Sequence, residues 1–255
     1  TAKQKLKRAA PWLFLLLVLA GLAAVRGLAA NYEIGYEIMN GDFQNYNPVR
    51  HLLAGQVPYR DFTVYLGAGE LYSVGGLLLV LGNSFGRSMF ATNFCTWFYF
   101  ELLVLAVCLV VIGTARAARA AALALCSVFF AYVQGQTCRF AGQVNTLLSY
   151  AAANGNSARM MRSAALTLAV LVILLGLHFC QQDTSRRLLA PAVLVPFAAG
   201  FFVPWSNDMG GAAYISIALG YGLYLIRLYR SSIGKIVVQT LRYICLLYTS
   251  PSPRD

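Results

Sequence analysis

The residues of this chain that could do chemistry are concentrated in one polar stretch, residues 31–70. Three basic or imidazole side chains lie there, Arg50, His51 and Arg60. Five of the nine acidic residues lie there too, namely Glu33, Glu37, Asp42, Asp61 and Glu70. A carboxylate can take a proton from a hydroxyl group, and the guanidinium fork matches the geometry of a phosphate. This stretch is therefore the first candidate for a functional site.

Each of these side chains also has an ordinary structural interpretation. Asp42 lies in a turn-type sequence, where aspartate commonly closes a turn or caps a helix. Arg60 and Asp61 could form a local ion pair, or Arg60 could hold a phosphate group. The segment from Pro48 to Gly55 is expected to form a short amphipathic helix, with Arg50 and His51 on one side of it, either as a solvated polar face or as substrate contacts. The sequence leaves both interpretations open in each case.

Outside that stretch, few polar residues interrupt the apolar runs. Asn207 and Asp208 follow an apolar run and either cap the next helix or add to the same cavity as the polar stretch. Glu101 lies in the middle of an apolar run, where a charge is costly and needs a partner or a cavity. We consider both an ion pair between Glu101 and Arg26 and a role of Glu101 in a substrate cavity.

The composition indicates a multi-pass membrane protein. Hydrophobic residues make up 59% of the 255 residues and charged residues only 11%, with a mean hydropathy of +0.63. A soluble domain has about 25% charged residues. Most of the charges behind the net value of +11 lie between apolar runs, where basic residues orient membrane proteins. We therefore expect the lipid bilayer, and not nucleic acid, as a partner.

No cofactor follows from the sequence. The six cysteines are scattered and form no CxxC pair. The motifs of P-loop ATPases, HExxH zinc proteases, GxSxG hydrolases and dinucleotide-binding folds are all missing from the sequence. A divalent metal stays open, because no ligand motif decides for or against it.

The apolar runs predict an all-α bundle of transmembrane helices in a single domain, residues 1–244. The predicted helices are 11–30, 88–112, 117–134, 163–180, 188–205, 211–229 and 233–244. The run 71–82 is too short to span a bilayer, so we expect a juxtamembrane helix after an outer loop 31–70. This arrangement puts eleven basic residues in the cytoplasm and six outside, Arg162 among the six. It therefore predicts a cytoplasmic N-terminus and places loop 31–70 and Asn207-Asp208 on the same, extracytoplasmic side.

The last eleven residues, 245–255, are interpreted separately. Back-translated, they resemble the adapter of transposase-based sequencing libraries over all eleven codons. Pro251 and Pro253 should interrupt any helix that continues from Ile233. We expect an extended tail that adds nothing to the fold, and a natural chain that continues past Ile244.

Three stretches resemble bacterial GT-C glycosyltransferases. Gly41-Asp42 together with the segment from Asn47 to Phe62 resembles the first extracytoplasmic loop of those enzymes. The run that ends in Leu81-Gly82-Asn83-Ser84-Phe85-Gly86-Arg87 resembles the juxtamembrane helix that follows it. The segment Trp205–Gly210 resembles an outer-loop motif found in a subset of them. The resemblance covers most of residues 1–244.

The resemblance implies a GT-C-like bundle in the bacterial plasma (inner) membrane. Such enzymes move a sugar from a polyprenyl-phosphate donor to an extracytoplasmic acceptor. Among the residues here, Asp42 matches the acidic residue that serves as base or orients the acceptor. The other expected substrate contacts are Arg50, His51, Arg60, Asp61, Asn207 and Asp208. A fragment that ends near Ile244 is expected to be inactive.

Two other functions stay open at this point. A transporter or flippase for a lipid or polymer would use the same helices, with its function inside them at Glu101 and Arg26. A non-catalytic membrane subunit would use neither the outer loop nor those charges.

Overall fold

The computed structural model describes residues 2–32, 40–137, 159–182, 189–230 and 232–248. Over these ranges the chain forms nine α-helices and no β-strand, which confirms the all-α prediction. The helices are α1 (Ala2–Tyr32), α2 (Asn40–Leu53), α3 (Ala68–Leu81), α4 (Phe85–Ile112), α5 (Ala117–Thr137), α6 (Arg159–Gln182), α7 (Leu189–Trp205), α8 (Met209–Leu228) and α9 (Ile233–Tyr248). A 3₁₀ turn, Thr114–Arg116, joins α4 to α5.

Three helical stretches in the described ranges are long and apolar enough to cross a membrane. They are Ala9–Leu28, Phe85–Ile112 and Met209–Leu228. Shorter apolar stretches lie at Ala68–Leu81, Ala117–Phe129, Met161–Leu177 and Val195–Trp205. These helices indicate a membrane protein. The remaining four predicted spans stay predictions, and α3 has the short length expected of a juxtamembrane helix.

Several helix boundaries differ from the prediction, and the starts of α2 and α4 have identifiable causes. A short helix was expected to begin at Pro48, but α2 begins at Asn40. The residues before the proline make their own contacts, with Phe43 stacked on Phe85 at 4.9 Å and Tyr46 packed against the buried cluster, and these offset the hydrogen bond lost at proline. α4 begins at Phe85 instead of residue 88, because the Ser84 hydroxyl accepts a hydrogen bond from the Arg87 amide (3.3 Å) and caps the helix.

The expectation of an extended tail from residue 245 is wrong for its first four residues. α9 continues through them to Tyr248, and the Cys245 side chain is exposed. The physical reason is that Cys-Leu-Leu-Tyr contains no helix breaker, and the two prolines come only at 251 and 253. Residues 249–255 lie outside the described ranges.

The first helices form an antiparallel layer. Near the end of α1, Gly27 contacts Phe90, and the Arg26 guanidinium lies over the Trp97 ring, 5.0 Å from its centroid. In the middle of α1, Leu15 and Leu19 pack with residues of the second half of α4 and the first turns of α5. The C-terminal end of α1 and the N-terminal end of α4 therefore lie at the same end of the bundle.

The same end carries the polar segments. α2 and α3 pack there against the first half of α4 and the start of α6, through a cluster that includes Val49, Val74, Cys95 and Met161. α7 ends and α8 begins at this end too, since the loop between them contacts the segment before α3. We call this the α2–α3 end. At the opposite end α5 begins and α8 ends, with the basic residues Arg116, Arg119, Arg227 and Arg230.

Helices α6 to α9 form the second half of the bundle. Leu166, Phe202 and Ile217 are buried in their common core. α9 turns back along α8, and the rings of Tyr221 and Tyr243 stack with their centroids 5.2 Å apart. This half of the bundle holds α6 and α7 against the α2–α3 end.

Candidate functional site

A tight turn before α3 orders part of the predicted outer loop. The Asp61 carboxylate accepts a hydrogen bond from the Val57 amide (2.7 Å) and pairs with Arg60 through two contacts of 2.9 Å. The Arg60 guanidinium and the Val57 amide lower the pKa of Asp61 to about 2. The structure thus contains the local ion pair that the sequence left open. The side chain of Arg60 remains 72% exposed.

The other predicted contacts in this loop lie on α2. The Arg50 guanidinium lies over the Tyr46 ring, 5.8 Å from its centroid. The His51 ring stacks on Phe62 at 5.2 Å, and its Nδ1 is hydrogen-bonded to the Gln56 side chain. These contacts fasten the end of α2 to the turn that follows it. They do not bring Arg50 or His51 into the cavity described below.

The predicted catalytic residue, Asp42, lies in the first turn of α2. Its backbone is helical, but its side chain lies outside the part of the structure that can be described. Its catalytic role stays a prediction. The structure shows the position of its helix, α2, which packs on α3 at the α2–α3 end.

Asn207 connects the loop after α7 to the segment before α3. Its side-chain amide donates hydrogen bonds to the carbonyl oxygens of Tyr65 (2.7 Å) and Val64 (3.2 Å). Gly67 allows this close approach. It has a φ of 105°, and a methyl group there would lie 2.5 Å from the carbonyl oxygen of Trp205. The prediction that the outer loop and Asn207 share one end of the helices therefore agrees with the structure.

Arg162, which was not among the predicted site residues, is central to this arrangement. It lies in the first turn of α6 with only 3% of its side chain exposed. Its Nη1 forms an ion pair with Asp208 Oδ1 and donates to the Ser206 hydroxyl (3.3 Å) and the Leu66 carbonyl (3.4 Å). One side chain therefore joins α6, the α7–α8 loop and the segment before α3.

Asp208 combines the capping role with a role in this cluster. Its Oδ1 accepts hydrogen bonds from the Met209 amide (2.9 Å) and the Ser206 hydroxyl (2.8 Å). Partial burial pushes the pKa of Asp208 upward, but the Ser206 hydroxyl, the Arg162 charge and the Met209 amide outweigh it and lower that pKa below 3.8. Asp208 is therefore ionised at neutral pH, and 53% of its side chain stays exposed.

Glu70 is buried close to the same arginine. It lies in the first turn of α3 with 3% of its side chain exposed. Burial raises the pKa of Glu70 from 4.5 to about 8, against the opposing effect of the Arg162 charge. The carboxyl group is therefore mostly protonated at neutral pH. A carboxylate at a helix start is favoured by the helix dipole, but for Glu70 burial is the larger electrostatic effect.

Two cavities lie near this cluster, lined by neighbouring residues of α6 and of the end of α7. A polar cavity of about 400 Å³ is lined by residues 63–66, Arg162, Asn207 and Asp208. An apolar groove of about 520 Å³ runs between α6 and α7, with Val172, Phe201 and Trp205 in its walls and Tyr99 of α4 behind them. Arg162 precedes the first groove residue of α6 by one helical turn, and Trp205 lies two residues before Asn207. We refer to these as the polar cavity and the apolar groove.

The ion pair between Glu101 and Arg26 that the sequence suggested is not formed. Glu101 is 1% exposed within α4, whereas Arg26 lies over Trp97 one turn away, and no ion pair joins the two. The reason is that Trp97 offers the guanidinium a ring face close to the end of α1. In the part of the chain that the structure describes, no group of three His, Cys, Asp or Glu side chains could hold a metal ion.

Sequence reasoning missed Arg162 although a signal was present. Arg162 lies at the edge of an apolar run, where an arginine that becomes buried is costly unless it is paired. Its partner lies 46 residues further along the chain, so only the fold reveals the pair. No protein-family model, no curated protein and no solved structure matches this chain. The geometry of the polar cavity and the apolar groove is therefore the basis for the functional interpretation.

Proposed function

We propose that this chain is the membrane domain of a GT-C-like glycosyltransferase. In this proposal it takes a sugar from a polyprenyl-phosphate donor and passes it to an acceptor on the extracytoplasmic side of the bacterial plasma membrane. The observation that carries the proposal is that the polar cavity and the apolar groove are lined by neighbouring residues of α6 and of the end of α7, at the α2–α3 end.

Such a donor is an amphiphile with a long apolar chain and a polar head. The apolar groove between α6 and α7 is lined by alkyl and aromatic side chains, so a prenyl chain would gain about 25 cal/mol for each Å² that leaves water. The polar cavity, at the end of the same two helices, offers an ionised carboxylate and an amide for the head group. The two cavities thus fit the two parts of one molecule.

The proposed reaction needs a base beside the acceptor hydroxyl and a cation beside the leaving phosphate. Asp42 remains the proposed base, because its helix lies at the same end of the bundle. Arg60 remains the proposed phosphate contact, since its guanidinium is exposed three residues before Thr63, which lines the polar cavity. A phosphate that binds there would compete with Asp61 for this side chain.

One observation favours a second candidate, a transporter or flippase. Glu101 is 1% exposed within the membrane-spanning α4, and its Oε2 has no hydrogen-bond partner among the described residues. Buried carboxyl groups in spanning helices often belong to proton or ion pathways. In that case function would depend on Glu101 and not on the outer loop.

Photo-crosslinking tests whether the apolar groove holds the donor chain. A polyprenyl-phosphate probe with a diazirine on its prenyl chain is added to the protein in nanodiscs, and crosslinked peptides are mapped. We expect crosslinks in α6 and α7 near Val172 and Phe201, and competition by unlabelled polyprenyl phosphate. Val172→Trp should reduce them several-fold, because the indole fills the groove.

The matched control is Leu219→Trp, which adds the same ring to an exposed position of α8 away from the groove. This variant should crosslink like the wild type. Crosslinks that spread over all lipid-facing helices, or that a competitor leaves unchanged, would remove the support that the groove gives to the proposal.

A further inference from the structure

The polar cavity contains three groups that the fold does not use. The ring of Tyr65 is 74% exposed, although its backbone carbonyl is fixed by Asn207 at 2.7 Å. The hydrogen bonds and the ion pair of Asp208 all involve its Oδ1, so its Oδ2 has no bond to any described residue. Asn207 binds the backbone through its amide nitrogen, which leaves its Oδ1 in the same situation. The three residues that carry these groups all line the polar cavity.

These groups sit on a rigid frame. Asn207 and Asp208 are each tied to the backbone or to Arg162, and Val64 and Leu66 on either side of Tyr65 are 3% and 7% exposed. The exposure of Tyr65 thus does not come from a loosely attached segment. A side chain of this size that the fold leaves in the open, at the mouth of a cavity, is placed to contact a ligand.

The charge of the cavity selects the kind of ligand. Arg162 and Asp208 form an ion pair, so the cavity walls carry no net charge from these two residues. A phosphate would meet the Asp208 carboxylate, and a cation would meet the Arg162 guanidinium behind it. A neutral ligand that carries several hydrogen-bond donors fits this balance better than either ion.

We propose that the polar cavity is a subsite for the ring of a neutral sugar. The apolar CH face of the ring would lie on Tyr65, and its hydroxyl groups would donate to Asp208 Oδ2 and Asn207 Oδ1, with the Thr63 hydroxyl at the rim. The volume of about 400 Å³ lies within the range of small-molecule pockets. The assignment of this ring to the donor rests on the proposed function, whereas the recognition of a sugar ring does not.

The test measures binding of methyl hexosides to the chain in nanodiscs by saturation-transfer NMR. We expect transfer to the CH protons of the sugar. Tyr65→Ala should weaken binding about fivefold or more, as the loss of one aromatic contact implies, and Tyr65→Phe should bind like the wild type. Tyr72→Ala removes an exposed tyrosine that does not line the cavity, so this control should also bind normally.

Tetramethylammonium and inorganic phosphate serve as ionic probes. The subsite is wrong if either ion displaces the sugar at a lower concentration than a second sugar does. It is also wrong if no hexoside binds, or if Tyr65→Ala binds as tightly as Tyr65→Phe. Sugar binding that depends on Tyr65 supports the subsite even when the full-length protein transfers no sugar, and in that case only the proposed reaction fails.

Discussion

At the scale of single residues, Arg162 holds the α2–α3 end together. It is buried, and it contacts the Leu66 carbonyl, the Ser206 hydroxyl and the Asp208 carboxylate. Removing one member of a buried ion pair usually costs about 3–5 kcal/mol, because the other charge loses its partner. Asp208 is half-exposed, so water would offset part of that cost here.

Glu70, on the other side of this arginine, makes the stability of the fold depend on pH. Its pKa is about 8 in the folded chain against 4.5 as its ordinary value, because burial favours the neutral form. Between about pH 4.5 and pH 8 the unfolded chain loses this proton while the folded chain keeps it. The folded state therefore binds more protons, and its stability falls as the pH rises through this window.

We predict that Glu70→Gln weakens this dependence. Between pH 5 and pH 8.5, the free energy of unfolding of the variant should rise relative to that of the wild type by at least about 1 kcal/mol. This corresponds to about 2–4 °C in melting temperature. Thermal unfolding in detergent measures it. Asp61→Asn is the control, because the pKa of Asp61 is about 2 and lies below this window. An identical pH slope in Glu70→Gln and wild type would contradict the buried, neutral carboxyl.

Residue type alone identified some residues of this site but gave no sign that others would be buried there. Asn207 and Asp208 stand out in the sequence because they interrupt apolar runs. Arg162 looks like one more basic residue at a helix edge, and Glu70 looks like a helix-start carboxylate. Their burial depends on which segments pack over them, and that depends on contacts between residues far apart in the chain.

At the scale of elements, the fit between α3 and the end of α7 positions the polar cavity. Gly69 lies beneath the Trp205 indole, so that the segment before α3 reaches the α7–α8 loop. A methyl group at Gly69 would overlap the indole ring. A larger residue would therefore push the two walls of the cavity apart.

We predict that Gly69→Ala lowers the free energy of unfolding by about 1–3 kcal/mol, the usual cost of overpacking. Gly76→Ala in the same helix meets no atom within 4 Å, so it should be neutral or stabilise by up to about 1 kcal/mol through helix propensity. Comparing the two melting temperatures separates packing from propensity. Equal effects of the two alanines would show that the contact with Trp205 does not matter.

The apolar runs predicted the existence and order of the helices, because spanning helices need about 20 apolar residues. They predicted the boundaries less well. The start of α4 depends on the Ser84 cap, and the length of α2 depends on its packing against α3. The length of an apolar run carries no information about capping or about packing between helices.

At the scale of the whole molecule, alternation of the helices brings the polar loop, Arg162 and Asp208 to one end. The sequence predicted that shared end by counting helices and basic residues. It could not predict the cavities, because the walls of the apolar groove come from α4, α6 and α7, which are far apart in the chain. The position of the groove and the polar cavity on neighbouring residues of the same helices is the feature that links the fold to the proposed transfer of a lipid-linked sugar.

The most direct test of that proposal is sugar transfer from a polyprenyl-phosphate donor by the purified full-length protein. We predict that Asp42→Asn lowers turnover at least about 10²-fold while the protein still inserts and folds, because the amide cannot accept the acceptor's proton. Glu101→Gln should retain most of the activity. Near wild-type turnover in Asp42→Asn, with loss of function in Glu101→Gln, would contradict the proposal and favour a transporter.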